Sequence, residues 1–189
     1  MIQGRSVATL LVGAVWLAVA QSATAQSSFL TPLKTQWDNT RRLVEGLVAQ
    51  VPEDKYDFRP TPEVRSFREQ FTHLIGENFR FMAQAAGETA PMEMSAIEKL
   101  TGRDDILQAL KESYDYGTKV WTGMTDQKAM EMIAGRGGQQ QLRWAPILTN
   151  IVDNMDHYGN LVVYVRLIGL VPGRTAGQQQ QQPPAQTPR

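Results

Sequence analysis

The amino-acid sequence predicts an all-α fold, a four-helix bundle. Four segments place apolar residues at the roughly 3.6-residue period of an α-helix, and no segment alternates with the two-residue period of a strand. Long helices separated by irregular connections are typical of helical bundles. With 189 residues, the chain is long enough for one domain with a substantial core and too short for two ordinary domains. We therefore predict a single domain over residues 26–173.

The first helix is predicted to begin at Thr31, an N-cap residue, with Pro32 in the first helical position, where its missing N–H is not needed. We expect this helix to end near Gln50. Residues 52–66 contain three prolines and no sustained period, which indicates an ordered connection along the surface. The apolar residues of the helix follow one stripe at helical spacing: Leu33, Trp37, Val44, Leu47 and Val48.

The second helix is announced by Ser66 and Glu69, the pattern of a capping box, in which each side chain accepts a hydrogen bond from a free N–H. Gly87 is its predicted end. At ~100° per residue, His73 and Glu77 share one flank of the apolar face, where a side chain can reach a cleft between helices. The face itself carries Phe67, Phe71, Leu74, Asn78 and Met82, of which Asn78 is expected to be a buried hydrogen-bonding residue.

The third helix is predicted to begin with a second capping pattern, Thr101 and Asp104. Before it, the methionine-rich residues 88–100 indicate either a short helix or a cap over one end of the bundle. After it, the glycines of residues 135–138 lack the lysine and the serine or threonine of a phosphate-binding loop, so we interpret them as a flexible turn. The helical stripe consists of Ile106, Leu107, Leu110, Tyr114, Trp121 and Met124.

The fourth helix is predicted to begin at Ala145 and Pro146 and to end at Gly169. Asp153 and His157 lie one turn apart at the edge of its apolar stripe. Judged from the residues alone, such a pair is more often an ordinary i,i+4 pair on a helix surface than part of a metal site. The stripe consists of Ile147, Ile151, Met155, Tyr158, Val162 and Val165.

The opposite side of the fourth helix is also apolar, because it carries Val152, Val163 and Leu167. A helix that is apolar most of the way round is buried on two sides. Two arrangements would bury this second side. Either the long connections cover it, or it pairs with a second copy of the protein in a homodimer.

Both ends of the chain are predicted to lie outside the folded domain. Residues 1–25 have the pattern of an export signal: the cation Arg5, apolar residues 7–20, and a small-x-small cleavage site at residues 23–25. The apolar run is shorter than the ~20 residues that span a bilayer, which favours cleavage over an uncleaved anchor. We expect an exported protein, periplasmic or secreted. Residues 174–189, rich in glutamine and proline, predict a disordered tail.

Net charge and cysteine content exclude several classes of partner and of site. The 19 basic residues balance 19 acidic residues, so electrostatics indicate neither nucleic acid nor an anionic membrane as a partner. Cysteine is absent, which excludes disulfides, thiolate metal sites and a cysteine nucleophile. Any metal ion must then be held by nitrogen and oxygen ligands.

Two stretches resemble a known family. Asp156 to Pro172, DHYGNLVVYVRLIGLVP, resembles the last helix of DinB-like four-helix proteins: a histidine, a small residue, an amide residue, an aliphatic run, an arginine and glycine-x-x-proline. Tyr56 to Asn78, YDFRPTPEVRSFREQFTHLIGEN, is similar to the first connection and the second-helix histidine of that family. The resemblance implies a DinB-like domain over about residues 28–172.

The resemblance also implies a metal site. DinB-like proteins place one histidine on the second helix and a His-x-x-x-His pair on the fourth, and these hold a divalent metal ion. His73 and His157 match the first and last of these ligands, whereas Asp153 stands where the family more often has a histidine. Two histidines and one carboxylate are a sound ligand set for zinc, nickel, iron or manganese, with open positions for water. Glu77 would be a supporting partner or a replacement ligand.

Two functions follow from the resemblance, and the sequence leaves open whether the protein is an enzyme. Relatives include thiol-dependent transferases and isomerases, but their low-molecular-weight thiols are cytoplasmic, and export argues against that chemistry. The first hypothesis is therefore a metal-dependent hydrolase of a small molecule, in which the ion acidifies a bound water. The second is a non-catalytic exported bundle for binding or stress response, with a degenerate metal site. Asp153 favours the second.

Overall fold

The computed structural model describes residues 28–173, so the predicted export signal and the glutamine-rich tail lie outside the described part of the chain. Within this part, six α-helices follow one another, and four of them are long. The prediction of an all-α four-helix bundle is confirmed. In chain order the helices are α1 (Leu30–Val48), α2 (Phe67–Ala86), α3 (Met94–Ile97), α4 (Arg103–Thr122), α5 (Asp126–Ala129) and α6 (Ala145–Leu167).

Helix α2 has the most extensive packing in the bundle. It lies along both α4 and α6, and α1 packs against the same two helices. Gly117 of α4 lets Trp37 of α1 approach closely, because a Cβ at this glycine would overlap the indole ring. The contact between α2 and α6 brings residues on their facing flanks together. Large side chains with no exposed surface fill the centre, among them Trp37, Phe71, Leu74, Tyr114 and Ile147.

Both ends of α2 agree with the sequence prediction. Ser66 Oγ accepts a hydrogen bond from the backbone N–H of Glu69 at 3.3 Å, and the Glu69 carboxylate accepts one from the N–H of Ser66 at 2.7 Å. Gly87 ends the helix with φ of 77°, a left-handed conformation that glycine adopts without strain. The signals that define α2 are thus local in the sequence.

The predicted start of α1 is wrong. The helix begins at Leu30, and Thr31 lies inside it rather than at the N-cap position. Ser28 Oγ accepts the free N–H of Leu30 at 3.1 Å, so the preceding serine supplies the oxygen that was assigned to the threonine. Ser28 and Thr31 both carry a hydroxyl group near the start of α1, and it is Ser28 that accepts a hydrogen bond from a free N–H there.

The predicted capping pattern of α4 is also wrong. Helix α4 begins at Arg103, with Gly102 at the N-cap position, and Thr101 and Asp104 make no capping hydrogen bond. The N–H of Arg103 instead donates to the carboxylate of Glu53 at 3.1 Å. Glu53 belongs to the connection between α1 and α2, 50 residues earlier. A tertiary contact therefore replaces the local cap.

A short hairpin precedes α6, although no strand was predicted. Strands β1 (Met132–Ala134) and β2 (Gln140–Leu142) pair antiparallel. Gly137 and Gly138 lie between them with positive φ angles of 68° and 79°, so the glycine-rich turn links two strands. Strands of three residues are too short to show a two-residue period, which is why the pattern did not reveal them.

The methionine-rich segment forms the short helix α3, one of its two predicted forms. Met94 lies over Gly76 of α2, where an added Cβ would overlap the thioether group. This close contact holds α3 against the middle of α2. Met94 also lines the same cavity as His73, so α3 forms part of the wall beside that histidine.

A buried polar network joins three helices. Asn154 of α6 donates to the side-chain oxygen of Asn78 at 2.9 Å, and Asn78 donates to Ser113 of α4 at 3.1 Å. Tyr114 donates to Asn154 at 2.6 Å, and Asn154 also donates to Asn150 at 2.7 Å. The expectation that Asn78 is a buried hydrogen-bonding residue is confirmed. The network fixes the register of α2 against α6 directly beside Asp153.

The second apolar side of α6 is exposed in the described part of the chain. Val152, Val163 and Leu167 expose 60%, 53% and 58% of their surface. The alternative in which the long connections cover this side is therefore wrong for residues 28–173, whereas the homodimer stays a prediction. In the same residues, no helix combines the length and the apolar character that crossing a membrane would require.

Candidate metal centre

His73 of α2 meets Asp153 and His157 of α6 at the interface between the two helices. Each residue offers a ligand atom, and the three atoms lie within 4.8 Å of one another. His157 Nε2 is 3.7 Å from Asp153 Oδ1, and the two imidazole rings stand nearly edge to face with centroids 4.8 Å apart. The structure thus brings together the three residues singled out in the sequence. We call them the His73–Asp153–His157 cluster.

The cluster is partly buried, and burial sets its electrostatics. Burial and the positive charge of Arg65 lower the pKa of His73, which favours the neutral imidazole that binds metals. Burial raises the pKa of Asp153, against the influence of His157. Cluster geometry and a neutral His73 both suit a cation-binding site.

Asp153 carries the least satisfied atom of the cluster. Its Oδ2 is buried and accepts no hydrogen bond from any described residue, and its Oδ1 faces His157 at 3.7 Å, beyond hydrogen-bonding distance. A buried carboxylate oxygen without a partner is unfavourable by about 1–3 kcal/mol or more. A cation bound between the three side chains would relieve this cost. The residues present therefore fit a divalent metal ion, with two imidazole nitrogens and one carboxylate as its ligands.

Gln70 supports the cluster and was not among the site residues predicted from the sequence. Its side-chain oxygen lies 2.7 Å from His157 Nδ1, and the residue is buried. An amide oxygen only accepts hydrogen bonds, so Nδ1 carries the proton, and in the neutral ring the lone pair of His157 is on Nε2, the atom nearest Asp153. Gln70 precedes His73 by three residues and shares its flank of α2, which is the one signal that the sequence offers.

Glu77, predicted as a supporting partner or a replacement ligand, is paired with an arginine. Its carboxylate pairs with Arg80, three residues later, with Arg80 Nε 3.2 Å from Glu77 Oε1. It is not one of the three residues whose ligand atoms converge. Its negative charge still acts on the cluster, where it opposes the lowering of the pKa of His73 and adds to the raising of that of Asp153.

Two cavities of about 530 Å³ each flank the cluster. One is lined by His73 and Met94, and the other by His157 and Gln70. Residues 63–65 of the connection before α2 line both cavities. Each cavity is of a size that holds a small molecule, and each gives solvent access to one histidine of the cluster.

The chain was compared with known proteins. The family model of the DinB superfamily matches residues 33–161. The crystal structure of a DinB-like protein from Bacillus subtilis is similar in fold, with a TM-score of 0.61 and 19% sequence identity over 73% of this chain and 92% of that protein. A search of curated protein sequences gave no match. Because the family match spans more than half of its length, the chain belongs to the DinB superfamily.

Proposed function

We propose that this protein is an exported, divalent-metal-dependent hydrolase of a small molecule, with His73, Asp153 and His157 as its metal ligands. The observation that carries the proposal is the buried Oδ2 of Asp153, which has no partner among the described residues and lies in a cluster with two imidazoles. A cation is the partner that this arrangement of atoms suits best.

The same observation weighs against a degenerate site. An ordinary i,i+4 pair on a helix surface is solvated, whereas His157 is buried and the Asp153 side chain exposes only 29% of its surface. A site without a ligand would gain stability from replacing a buried, unpaired carboxylate with a neutral residue. Asp153 is thus better explained as a ligand that differs from the usual histidine than as a sign of lost binding.

The proposed chemistry divides between the ion and the protein. A divalent ion with open coordination positions acidifies a water molecule and polarises a carbonyl or phosphoryl oxygen. Gln70 holds the His157 ring so that the lone pair of Nε2 faces the cluster, and Asp153 contributes the negative charge. Tyr164 packs against Phe67, with ring centroids 5.5 Å apart, so we assign it to the wall of the cavity rather than to proton transfer.

Export is part of the proposal and rests on the pattern of residues 1–25: a cation, an apolar run and a small-x-small site. It supports hydrolysis over thiol transfer, because water is available in every compartment and low-molecular-weight thiols are cytoplasmic. Fractionation of cells that express the full chain tests it. Export predicts a shortened protein, cleaved before Gln26, outside the cytoplasm; a full-length cytoplasmic protein would contradict it.

Metal content tests the core of the proposal. Protein purified without a histidine tag is dialysed against zinc, nickel, iron or manganese and analysed by elemental mass spectrometry. We expect about one equivalent of metal per chain, as for other single-ion sites. His73→Ala and His157→Ala should each remove it, and Asp153→Asn should weaken it strongly. The matched control, Asp156→Asn, removes an exposed carboxylate three residues away and should leave the content unchanged.

Hydrolysis is then tested with a panel of esters, amides and phosphoesters. Metal-loaded protein should cleave at least one class, and the same preparation of His73→Ala should not. Absence of stoichiometric metal, with an unchanged Tm after each metal is added, would contradict the metal assignment. Stoichiometric metal without turnover of any class would leave a metal-binding protein and refute the hydrolase.

A further inference from the structure

Arg65 carries a positive charge beside the proposed metal site. It lies at the end of the connection before α2, is exposed, and lines both cavities beside the cluster. No hydrogen bond or ion pair joins it to any residue of the described chain. Its positive charge nevertheless reaches His73, whose pKa it helps to lower. A cation thus lies between the two entrances to the site without a partner among residues 28–173.

The other arginines around the cluster are neutralised. Arg59 and Arg68 line the cavity of His73 together with Arg65, but Arg59 pairs with Glu69 at 3.2 Å and Arg68 pairs with Asp57 at 3.0 Å. Arginines in this region therefore have carboxylate partners as a rule, and Arg65 is the exception among those that line the two cavities.

Two further carboxylates along the cavity wall form no ion pair with Arg65 either. Glu63 and Glu98 line the same cavity, but neither forms an ion pair with it. Glu63 instead accepts a hydrogen bond from Thr61, which lowers the pKa of its carboxyl group. The guanidinium group thus keeps its full hydrogen-bonding capacity toward the cavities.

We propose that Arg65 binds a carboxylate or phosphate group of the substrate, so that the substrate is an anionic small molecule whose reactive part reaches the His73–Asp153–His157 cluster. The planar guanidinium group binds both oxyanions through two parallel hydrogen bonds. The cavity that Arg65 shares with His73 has a volume of about 530 Å³, which is enough for a small molecule. The assignment of a substrate rests on the proposed hydrolase, whereas the binding of the anion by Arg65 does not need the metal.

Anion binding is tested first, with simple probes. Inorganic phosphate and succinate are titrated separately at constant ionic strength into metal-free and zinc-loaded protein, and amide shifts are followed by NMR. We expect saturable shifts at residues that line the cavities, such as Gln70 and Thr72. Arg65→Gln should weaken the preferred anion about tenfold, equivalent to roughly 1.4 kcal/mol. The stronger probe identifies phosphate or carboxylate as the group.

Arg59→Gln is the matched control, because Arg59 lines the same cavity but is paired with Glu69. It should change the affinity less than about twofold. Equal losses in the two variants, or no change in Arg65→Gln, would overturn the proposal. So would an absence of saturable shifts in the metal-free protein, whatever the zinc-loaded protein shows. Because the metal-free titration decides the matter alone, a failed metal assignment does not affect it.

Substrate selection is tested with two esters of equal chain length, 4-nitrophenyl butyrate, which ends in a methyl group, and mono-4-nitrophenyl succinate, which ends in a carboxylate. In zinc-loaded protein, kcat/KM should favour the anionic ester, and Arg65→Gln should reduce that preference about tenfold. An equal preference in the variant would overturn the assignment of Arg65 to the substrate. If neither ester nor any other class is cleaved, the hydrolase proposal fails, and the anion titration still decides the role of Arg65.

Discussion

The buried polar network around Asn78 and Asn154 and the His73–Asp153–His157 cluster both lie where α2 meets α6, and they differ in one respect. In the network, nearly every buried polar atom has a partner within the protein, Asn150 Nδ2 being an exception. In the cluster, a carboxylate oxygen is buried without a partner among the described residues. A neutral group left unpaired is a modest cost, whereas an unpaired charge is a large one. The network therefore serves the fold, and the cluster is better suited to a ligand.

The largest expected effect is on the network. Asn154→Leu keeps the size of the side chain but leaves Asn78 and Tyr114 without their partners. We predict a loss of about 3 kcal/mol in the free energy of unfolding, measured in urea on metal-free protein. Asn160→Leu, the same change at an exposed position of α6, should alter stability by less than about 0.5 kcal/mol. If Asn154→Leu lowered the free energy of unfolding no more than Asn160→Leu does, the claim that the network stabilises the fold would be contradicted.

The second effect is on metal affinity. Gln70→Leu removes the acceptor of the His157 Nδ1 hydrogen bond and should weaken zinc binding about 10- to 100-fold in a chelator competition. Gln70→Glu keeps an acceptor and should retain most of the affinity. Nitrogen-15 shifts of His157 should report a mixture of tautomers in Gln70→Leu alone. Unchanged affinity and an unchanged tautomer in that variant would exclude Gln70 as a positioning residue.

The third effect is on the stability of metal-free protein. Asp153→Asn replaces an unpaired carboxylate with a neutral amide of the same shape, and should stabilise the protein by about 1 kcal/mol at pH 7. Because the folded state raises the pKa of Asp153, the gain should vanish at low pH, where the carboxyl group is protonated in both states, and grow as pH rises. Destabilisation at pH 7, compared with Asp156→Asn, would show that Asp153 already has a favourable role without metal.

The smallest effect concerns His73. Its pKa is lowered in the folded state, so protonation favours the unfolded chain. Stability attributable to His73 is present above its ordinary pKa of about 6.5 and is lost as pH falls below it. Metal-free His73→Gln should therefore lose less stability than the natural protein between pH 8 and pH 5. Parallel stability profiles of the two proteins would contradict a lowered pKa.

The sequence predicted those parts of the fold whose signals are local. Helical periodicity located the four long helices, and Ser66, Glu69 and Gly87 defined the ends of α2. The start of α4 could not be read in this way, because Glu53, which is distant in sequence, satisfies its first N–H group. The hairpin before α6 was missed because its strands have only three residues each.

The residues of the candidate site likewise fall into those that the sequence predicted and those that depend on tertiary contacts. His73 and His157 were identified as ligands through the family resemblance, and Asp153 because it stands where the family more often has a histidine. Gln70 and Arg65 were not identified, because their roles depend on distances across the fold. A glutamine three residues before a histidine is common on helices, and its meaning appears only when α6 brings His157 to 2.7 Å. The unpaired state of Arg65 among the described residues is recognised only when the partners of Arg59 and Arg68 are known.

Anomalous diffraction from zinc-soaked crystals tests the central claim most directly. Data collected on both sides of the zinc absorption edge locate the ion without assumptions about its ligands. We predict one strong peak between α2 and α6, in contact with a ring nitrogen of His73, Nε2 of His157 and the Asp153 carboxylate, and no such peak in Asp153→Asn. A peak elsewhere, or none at the cluster in crystals that retain the fold, would contradict a metal centre at these residues.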